Sequence, residues 1–323
     1  MGSARNVVIA LIACILILTL YANMNYLFYD DDYAPRIISP TTEDPPSTSL
    51  SQPDLVEQPP YRDERYHLFS QCVYLAFYQI QDIEVWDVIR PVFDYCTRAI
   101  PLNTQYITEY LNNDEIKYHI DPMDVNQVTN CHIITLGIGH DVAVEIKLKG
   151  KFTQQCKFYG TDPITTLNEL IYNPIGEYFP LAVGNETRFE ATSVKEDPLS
   201  VAYTYRNFSH VELIEFLRDK AQIPSEQVID QLLVDIEYAE YSIADYFFLD
   251  GRLDKAGYTI CQWNIEFHFP NDEQKKEFGS FMKRISKDER YLFFNLDNTY
   301  HIRLYFVNVA DQRCFDRYVK GRI

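Results

Sequence analysis

The chain has 323 residues, 46% of them hydrophobic and 15% aromatic, and a formal net charge of −18. That length can bury a sizeable core, as one large domain with appendages. The acidic excess repels phosphate backbones and anionic lipid, which excludes a nucleic acid as an expected partner.

Residues 7–22 (VVIALIACILILTLYA) form an unbroken apolar run, extended by Tyr26, Leu27 and Phe28. With that extension it approaches the roughly 20 residues of a spanning helix. Arg5 precedes the run, and Asp30, Asp31 and Asp32 follow it, which orients the rest of the chain away from the cytoplasm. The expectation is a signal-anchor over 1–28 in a single-pass type II membrane protein with a lumenal or extracellular body. If the run is a cleaved signal peptide, the protein is secreted instead. Residues 29–65 are rich in Pro, Ser, Thr and Asp, a composition that buries too little apolar surface to fold alone, and read as a stalk.

From about Tyr66 the apolar positions Leu68, Cys72, Val73, Leu75, Ala76 and Phe77 fit a helix, and a second helical stretch covers 85–99. The segment 66–125 is therefore expected to be a helical lead-in to a main domain over 126–323. Strand-like runs follow at 132–136, 157–160, 178–183, 228–235, 258–267, 291–295 and 301–309. Helical patterns lie between most of them, at 141–148, 211–220, 240–249 and 272–285. Ser209 and Glu212 are spaced as a capping box for the second of these helices. Such alternation predicts an α/β fold with a mostly parallel sheet and right-handed crossovers. Only LDNTY separates the last two strands, too short for a crossover, so they form a terminal antiparallel hairpin.

The stretch CHIITLGIGHD at 131–141 places Gly137 and Gly139 where the first strand of that sheet turns into its helix. In a doubly wound sheet the ligand sits at the carboxyl ends of the strands, and a glycine turn lets the backbone approach it. KFYGTDP then puts Asp162 directly after the second strand, 23 residues beyond Gly139, where a carboxylate can accept from both hydroxyls of a ribose. The third glycine of a dinucleotide site is missing, which disfavours a nicotinamide-linked oxidoreductase.

The resemblance becomes specific further along. LLVDIEYAEYSIADYFFLDG at 232–251 resembles the FkbM-type S-adenosylmethionine-dependent methyltransferases, with Asp235, Glu237, Ala239 and Glu240 on the pattern at the end of the fourth strand. CQWNIEFH at 261–268 is similar to the fifth strand of that family and brings Glu266 and His268. PLAVGNETRFEATS at 180–193 resembles the segment leading to the adenine-binding edge. The Gly-Ile-Gly-His-Asp turn ending at Asp141 is similar to membrane-anchored relatives in nematodes. The resemblance implies a class I methyltransferase fold (Rossmann-like), S-adenosyl-L-methionine held at Gly137, Gly139, Asp141 and Asp162, and methyl transfer to oxygen on a sugar or another small hydroxylated acceptor. Two residues depart from the pattern. Thr135 stands where the family places an acidic residue for the methionine amine, and Tyr238 replaces a glycine.

A hydroxyl is a poor nucleophile until a base or a metal helps to deprotonate it. Asp235, Glu237, Glu266 and His268 fall near the carboxyl ends of the fourth and fifth strands and are the catalytic candidates; a divalent metal among them is possible but not predicted. Glu240 either supports them or opens its helix. A catalytically inactive relative that binds a glycan or protein is the alternative reading.

Asn185-Glu-Thr187 and Asn207-Phe-Ser209 are glycosylation sequons. Beyond Cys14, six cysteines remain: Cys72, Cys96, Cys131, Cys156, Cys261 and Cys314. An even number in an oxidising compartment suggests disulfides, of several permitted connectivities. Cys131 and Cys156 each precede one of two strands expected to lie side by side, about 4.8 Å apart, which a bridge can span. Cys72–Cys96 and Cys261–Cys314 would complete that set.

Overall fold

The computed structural model describes residues 63–113, 115–152, 155–195 and 203–323. The expected anchor at 1–28 and all but the last residues of the stalk lie outside the described residues. Among the described residues no helix is long and apolar enough to cross a membrane. The described residues belong to one compact unit.

Helix α1 (Glu64–Tyr78) starts at Asp63, whose carboxylate accepts from Arg65 N at 3.0 Å. Helix α2 (Asp82–Ala99) buries Val85, Ile89, Val92 and Cys96, one stripe at helical spacing. The helical lead-in ends there, well short of residue 125. Strands β1 (Ile107–Leu111) and β2 (Ile116–Ile120) form an antiparallel hairpin instead. Two side-chain amides hold it on the main sheet. Gln262 accepts from Ile120 N at 2.7 Å and donates to Ile120 O at 3.0 Å, while Asn264 accepts from Tyr118 N at 2.8 Å and donates to Tyr118 O at 2.9 Å. These amides imitate a strand ladder and satisfy backbone groups that would otherwise be buried unpaired.

The remaining elements follow in order: β3 (Cys131–Leu136), α3 (Ala143–Lys151), β4 (Cys156–Thr161), α4 (Thr165–Tyr172), β5 (Glu177–Phe179), β6 (Ala182–Gly184), β7 (Arg188–Val194), β8 (Thr204–Glu212), β9 (Val228–Ile229), β10 (Gln231–Val234), α5 (Glu240–Ile243), β11 (Thr259–Ile260), β12 (Gln262–Phe267), α6 (Asp272–Asp288), β13 (Tyr291–Asp297) and β14 (Ile302–Asn308). The main sheet has seven strands in the order β13-β14-β12-β10-β3-β4-β5. β14 runs antiparallel to both of its neighbours, and the pairings from β12 to β5 are parallel. This is the class I methyltransferase arrangement. α1 and α2 pack on α6, on one face of the sheet, and Trp263 of β12 is sandwiched between Phe247 and Phe306, with ring centroids 4.0 and 4.1 Å away.

Several expectations change, and the strands expected over 228–235 and 258–267 each divide in two, as β9 and β10 and as β11 and β12. The strand expected over 178–183 breaks at Pro180, which has no N–H for a ladder; β5 edges the main sheet and β6 joins a small sheet with β8 and β7. The helix expected from 211 starts only at Leu213, because β8 continues through Glu212. Ser209 pairs with Phe189 inside that ladder, and Glu212 is the cap, accepting from Glu215 N at 2.9 Å. Helix α4 and the β7–β8 hairpin are additional elements.

The disulfides are Cys72–Cys96, Cys131–Cys156 and Cys261–Cys314, the expected set, of which strand adjacency argues for Cys131–Cys156. Cys131 and Cys156 are register partners on β3 and β4. Of the sequon asparagines, Asn207 is exposed on β8 and Asn185 is half-buried, and the Thr187 hydroxyl of the latter's sequon donates to Glu215 at 2.5 Å.

Candidate cofactor and acceptor site

The carboxyl ends of β3, β4 and β10 converge on one cleft, its mouth open to solvent. Its floor is the turn after β3. Gly137 has φ +82° and lies so close to the end of β10 that a Cβ there would be 1.7 Å from the Asp235 carbonyl oxygen. Main-chain bonds lock this crossing: Gly137 N donates to Thr161 O and Asp235 N to Leu136 O, both at 2.9 Å. Gly139 also has positive φ (+60°), but a Cβ there would meet nothing within 4 Å. The two glycines thus do different jobs, one allowing strand contact and the other leaving open space in the cleft.

Asp162 directly follows β4 and is buried at 7% exposure. Its Oδ2 accepts from Ile138 N at 3.1 Å and Gly139 N at 3.0 Å, and its Oδ1 from Ile164 N at 2.8 Å. A carboxylate has about four acceptor positions, so Asp162 can hold the turn and still take a hydroxyl. Burial raises its pKa against those main-chain donors. Asp141, just before α3, accepts from Ala143 N at 2.9 Å and ties in the β1–β2 hairpin by accepting from Asn113 N at 2.8 Å. The 180–193 segment contributes Leu181, Ala182, Val183, Thr192 and Ser193 to the opposite wall.

At the β10 end, Asp235 and Glu237 line the cleft and Tyr238 does not. Glu237 and Tyr238 both adopt left-handed backbone, φ +49° and +75°. The family's glycine thus marks a conformation that Tyr238 adopts at a cost of about 1 kcal/mol. Its ring leans on His268, with centroids 5.3 Å apart, leaving the cofactor cleft open.

His268 stands just outside the lining. Its Nδ1–H donates to Glu240 at 2.5 Å, its N–H to the same oxygen at 2.8 Å, and its Nε2 is 3.4 Å from Glu237 and 3.6 Å from Asp235. Burial alone would lower its pKa, but Glu240, Asp235 and Glu237 outweigh that and hold it up at about 10. His268 is therefore an imidazolium at neutral pH and no base. Burial pushes Glu237 up to about 7, with the His268 charge opposing it only in part. Glu240, completely buried at the first position of α5, turns its carboxylate to His268 and orients it.

Glu266 is turned away from the cleft into a bidentate pair with Arg303, at 2.9 and 3.0 Å. Glu115 of the hairpin pairs with Lys117 at 2.6 Å in the same buried group. Three overlapping sets, Asp235–Glu237–His268, Glu266–His268–His301 and Glu115–Asp235–Glu266, bring ligand atoms within 4.8 Å of one another and could hold a metal ion. Lys117, Arg303 and protonated His268 already supply positive charge to each of them.

The α3 wall carries a residue the motifs did not single out. Glu145, at 3% exposure, lines the cleft and accepts from the Thr135 hydroxyl at 2.7 Å. The only sequence signal for it was its place one helical turn past Asp141.

A doubly wound sheet of this order, with a glycine turn after its first strand and a carboxylate after the next, defines the class I S-adenosylmethionine-dependent methyltransferase class. Residues 96–304, about two thirds of the chain, match the Methyltransferase FkbM domain, and the chain belongs to that family. It is 28% identical over 100 residues to an uncharacterized protein of Caenorhabditis elegans, a match covering 31% of this chain and 34% of that one. The chain thus matches about a third of the length of this curated relative. Among solved structures it is similar to fibrillarin from Aeropyrum pernix with natively bound S-adenosyl-L-methionine (TM-score 0.32, 9% identity, covering 64% of this chain and 85% of that one). It is also similar to the 30S ribosomal A1408 methyltransferase from an uncultured bacterium (TM-score 0.27, 10% identity, covering 62% and 100%). At those TM-scores the fold assignment rests on the sheet order and the family match.

Proposed function

We propose that the protein is an S-adenosylmethionine-dependent O-methyltransferase acting on a sugar or another small hydroxylated acceptor in the secretory pathway. The observation that carries this reading is the cleft itself, with Gly137, Gly139 and Asp162 at one end and Asp235 and Glu237, backed by His268 and Glu240, at the other. Cofactor fit is supported by three residues that line the cleft and each carry a buried polar atom without a partner, Asn112 Oδ1, Glu145 Oε2 and His210 Nε2. Bound cofactor supplies an already activated methyl group, which leaves the chain with positioning and deprotonation. Asp235 and Glu237 accept hydroxyls of the acceptor. Glu237, with a pKa near the working pH, takes the proton of the reacting hydroxyl. The charged His268, fixed by Glu240, then stabilises Asp235 and orients Glu237. Three disulfides favour an oxidising compartment. The apolar run at 7–22 supports a type II anchor, and the local nematode match supports kinship with that branch.

The test is transfer of labelled methyl from S-adenosylmethionine to a panel of sugars and small alcohols, with products read by mass spectrometry. Glu237→Gln is expected to lower kcat about 100-fold or more with cofactor affinity unchanged. No product on any acceptor from protein that binds the cofactor would favour the second reading, a catalytically inactive binding protein. That reading draws on His268, whose protonation removes the usual base.

A further inference from the structure

Thr135 removes the carboxylate that the family places on the first strand, yet the cleft is not short of one at that point. Thr135 Oγ–H donates to Glu145 Oε1, and Glu145 Oε2 is buried with no hydrogen-bond partner. A buried polar atom left unpaired costs about 1–3 kcal/mol, so an unpaired acceptor in a ligand cleft points to a donor brought by the ligand. Asn112 Oδ1, from the hairpin beside the same wall, is a second buried acceptor without a donor. Two unmatched acceptors, one of them a carboxylate, and a neighbouring Asp141 describe a pocket for a group that offers several N–H bonds and a positive charge.

We infer that Glu145, oriented by Thr135 and assisted by Asn112, binds the α-ammonium group of the cofactor's methionine moiety, the carboxylate having moved from strand β3 to the first turn of helix α3. The assignment rests on the proposed function. An ammonium has three donors and no acceptor, which matches Glu145 Oε2 and Asn112 Oδ1 without leaving a lone pair facing either. Other charged or titratable groups facing Glu145 are Lys117 from β2, Asp141 from the turn and Tyr172 from α4. Lys117 is already committed to Glu115. Thr135 is a positioning residue: its hydroxyl fixes one oxygen and thereby aims the other.

The experiment compares two ligands by calorimetric titration into the oxidised protein. S-adenosylhomocysteine carries the ammonium, and 5′-methylthioadenosine lacks the whole amino-acid moiety. Glu145→Gln keeps the size of the side chain and the bond from Thr135 but replaces a charged acceptor with a neutral amide. It is expected to weaken S-adenosylhomocysteine about 10- to 100-fold, the range of a lost charge-assisted hydrogen bond, and to leave 5′-methylthioadenosine within twofold. The melting temperature of the ligand-free variant is expected to hold or rise, because an uncompensated buried carboxylate has been removed. Equal loss for both ligands with a lowered melting temperature would make Glu145 a structural residue and overturn the inference. Unchanged affinity for both would overturn it equally. If wild-type protein binds neither ligand, the proposed function falls and the inference with it, whereas binding of 5′-methylthioadenosine alone would refute the ammonium pocket and spare the adenosine site.

Discussion

The two glycines of the turn after β3 should respond to alanine in opposite ways. At Gly137 the added Cβ would sit 1.7 Å from the Asp235 carbonyl oxygen, whereas a carbon–oxygen contact needs about 3.3 Å. The strand ends must therefore separate by roughly 1.5 Å, straining the 2.9 Å bonds from Asp235 N to Leu136 O and from Gly137 N to Thr161 O. Left-handed strain of about 1–2 kcal/mol and overpacking of about 1–3 kcal/mol sum to roughly 4 kcal/mol. At about 2–4 °C per kcal/mol for a domain of this size, Gly137→Ala should lower the melting temperature by roughly 10 °C. Gly139→Ala carries only the backbone strain, because its Cβ meets nothing within 4 Å; it should cost about 1 kcal/mol and a few degrees. That empty space is where the account places the cofactor, so Gly139→Ala should weaken S-adenosylmethionine at least tenfold in a nearly intact protein. Melting curves and calorimetry on both variants separate these effects. Equal destabilisation, or a Gly139→Ala protein that binds within twofold of wild type, would refute the division of labour.

Ligand-free protein should lose stability steadily as pH rises from about 5 to 8.5. Glu145 and Glu237 are held up at about 7, from an ordinary 4.5. The folded state therefore keeps protons that the unfolded state has released, and stability falls through that window. His268, raised from 6.5 to about 10, adds stability that is complete below about 6.5 and is lost as pH climbs toward 10, the same direction. A melting temperature that is flat or rises across this range would contradict the buried, proton-holding site. Replacing Cys131 and Cys156 together by serine should destabilise the unit by about 3 kcal/mol, the loop entropy of a 25-residue closure; denaturant midpoints that do not move would deny that the bond forms. Glu240→Gln should lower the pKa of His268 toward its ordinary value, seen as a shifted imidazole titration by NMR. An unmoved titration would remove Glu240 as the orienting group.

Much of the fold was legible because its parallel strands are buried on both faces and read as apolar runs of β-branched and aromatic residues, from Ile133 and Ile134 to Trp263 and Ile265. The glycine turn, Asp162 and the Asp235–Glu237 run were equally visible, since each is tied to a strand end by short spacing. What escaped depends on contacts distant in sequence. The β1–β2 hairpin is held by Gln262 and Asn264, more than a hundred residues away, and nothing in its own composition announces that. The same holds for β8, where pairing with β7 overrides a plausible capping box at Ser209. Glu145 looked like an ordinary helix-surface residue until the fold buried it beside Thr135. Asp235, Glu237 and His268 do meet, but which of them holds the proton follows from Glu240 at full burial, and no spacing rule reveals that. Glu266 was placed correctly on its strand, but no spacing rule showed that Arg303 claims both of its oxygens.

The most direct measurement is calorimetric titration of S-adenosylmethionine into the oxidised 59–323 unit, beside an Asp162→Ala variant that keeps its fold by circular dichroism. Micromolar binding to the wild type is expected, with at least a tenfold loss in the variant, which loses both its ribose acceptor and the anchor of the glycine turn. Absence of binding to the folded wild type, or full affinity in the variant, would contradict the assignment of this cleft to the cofactor.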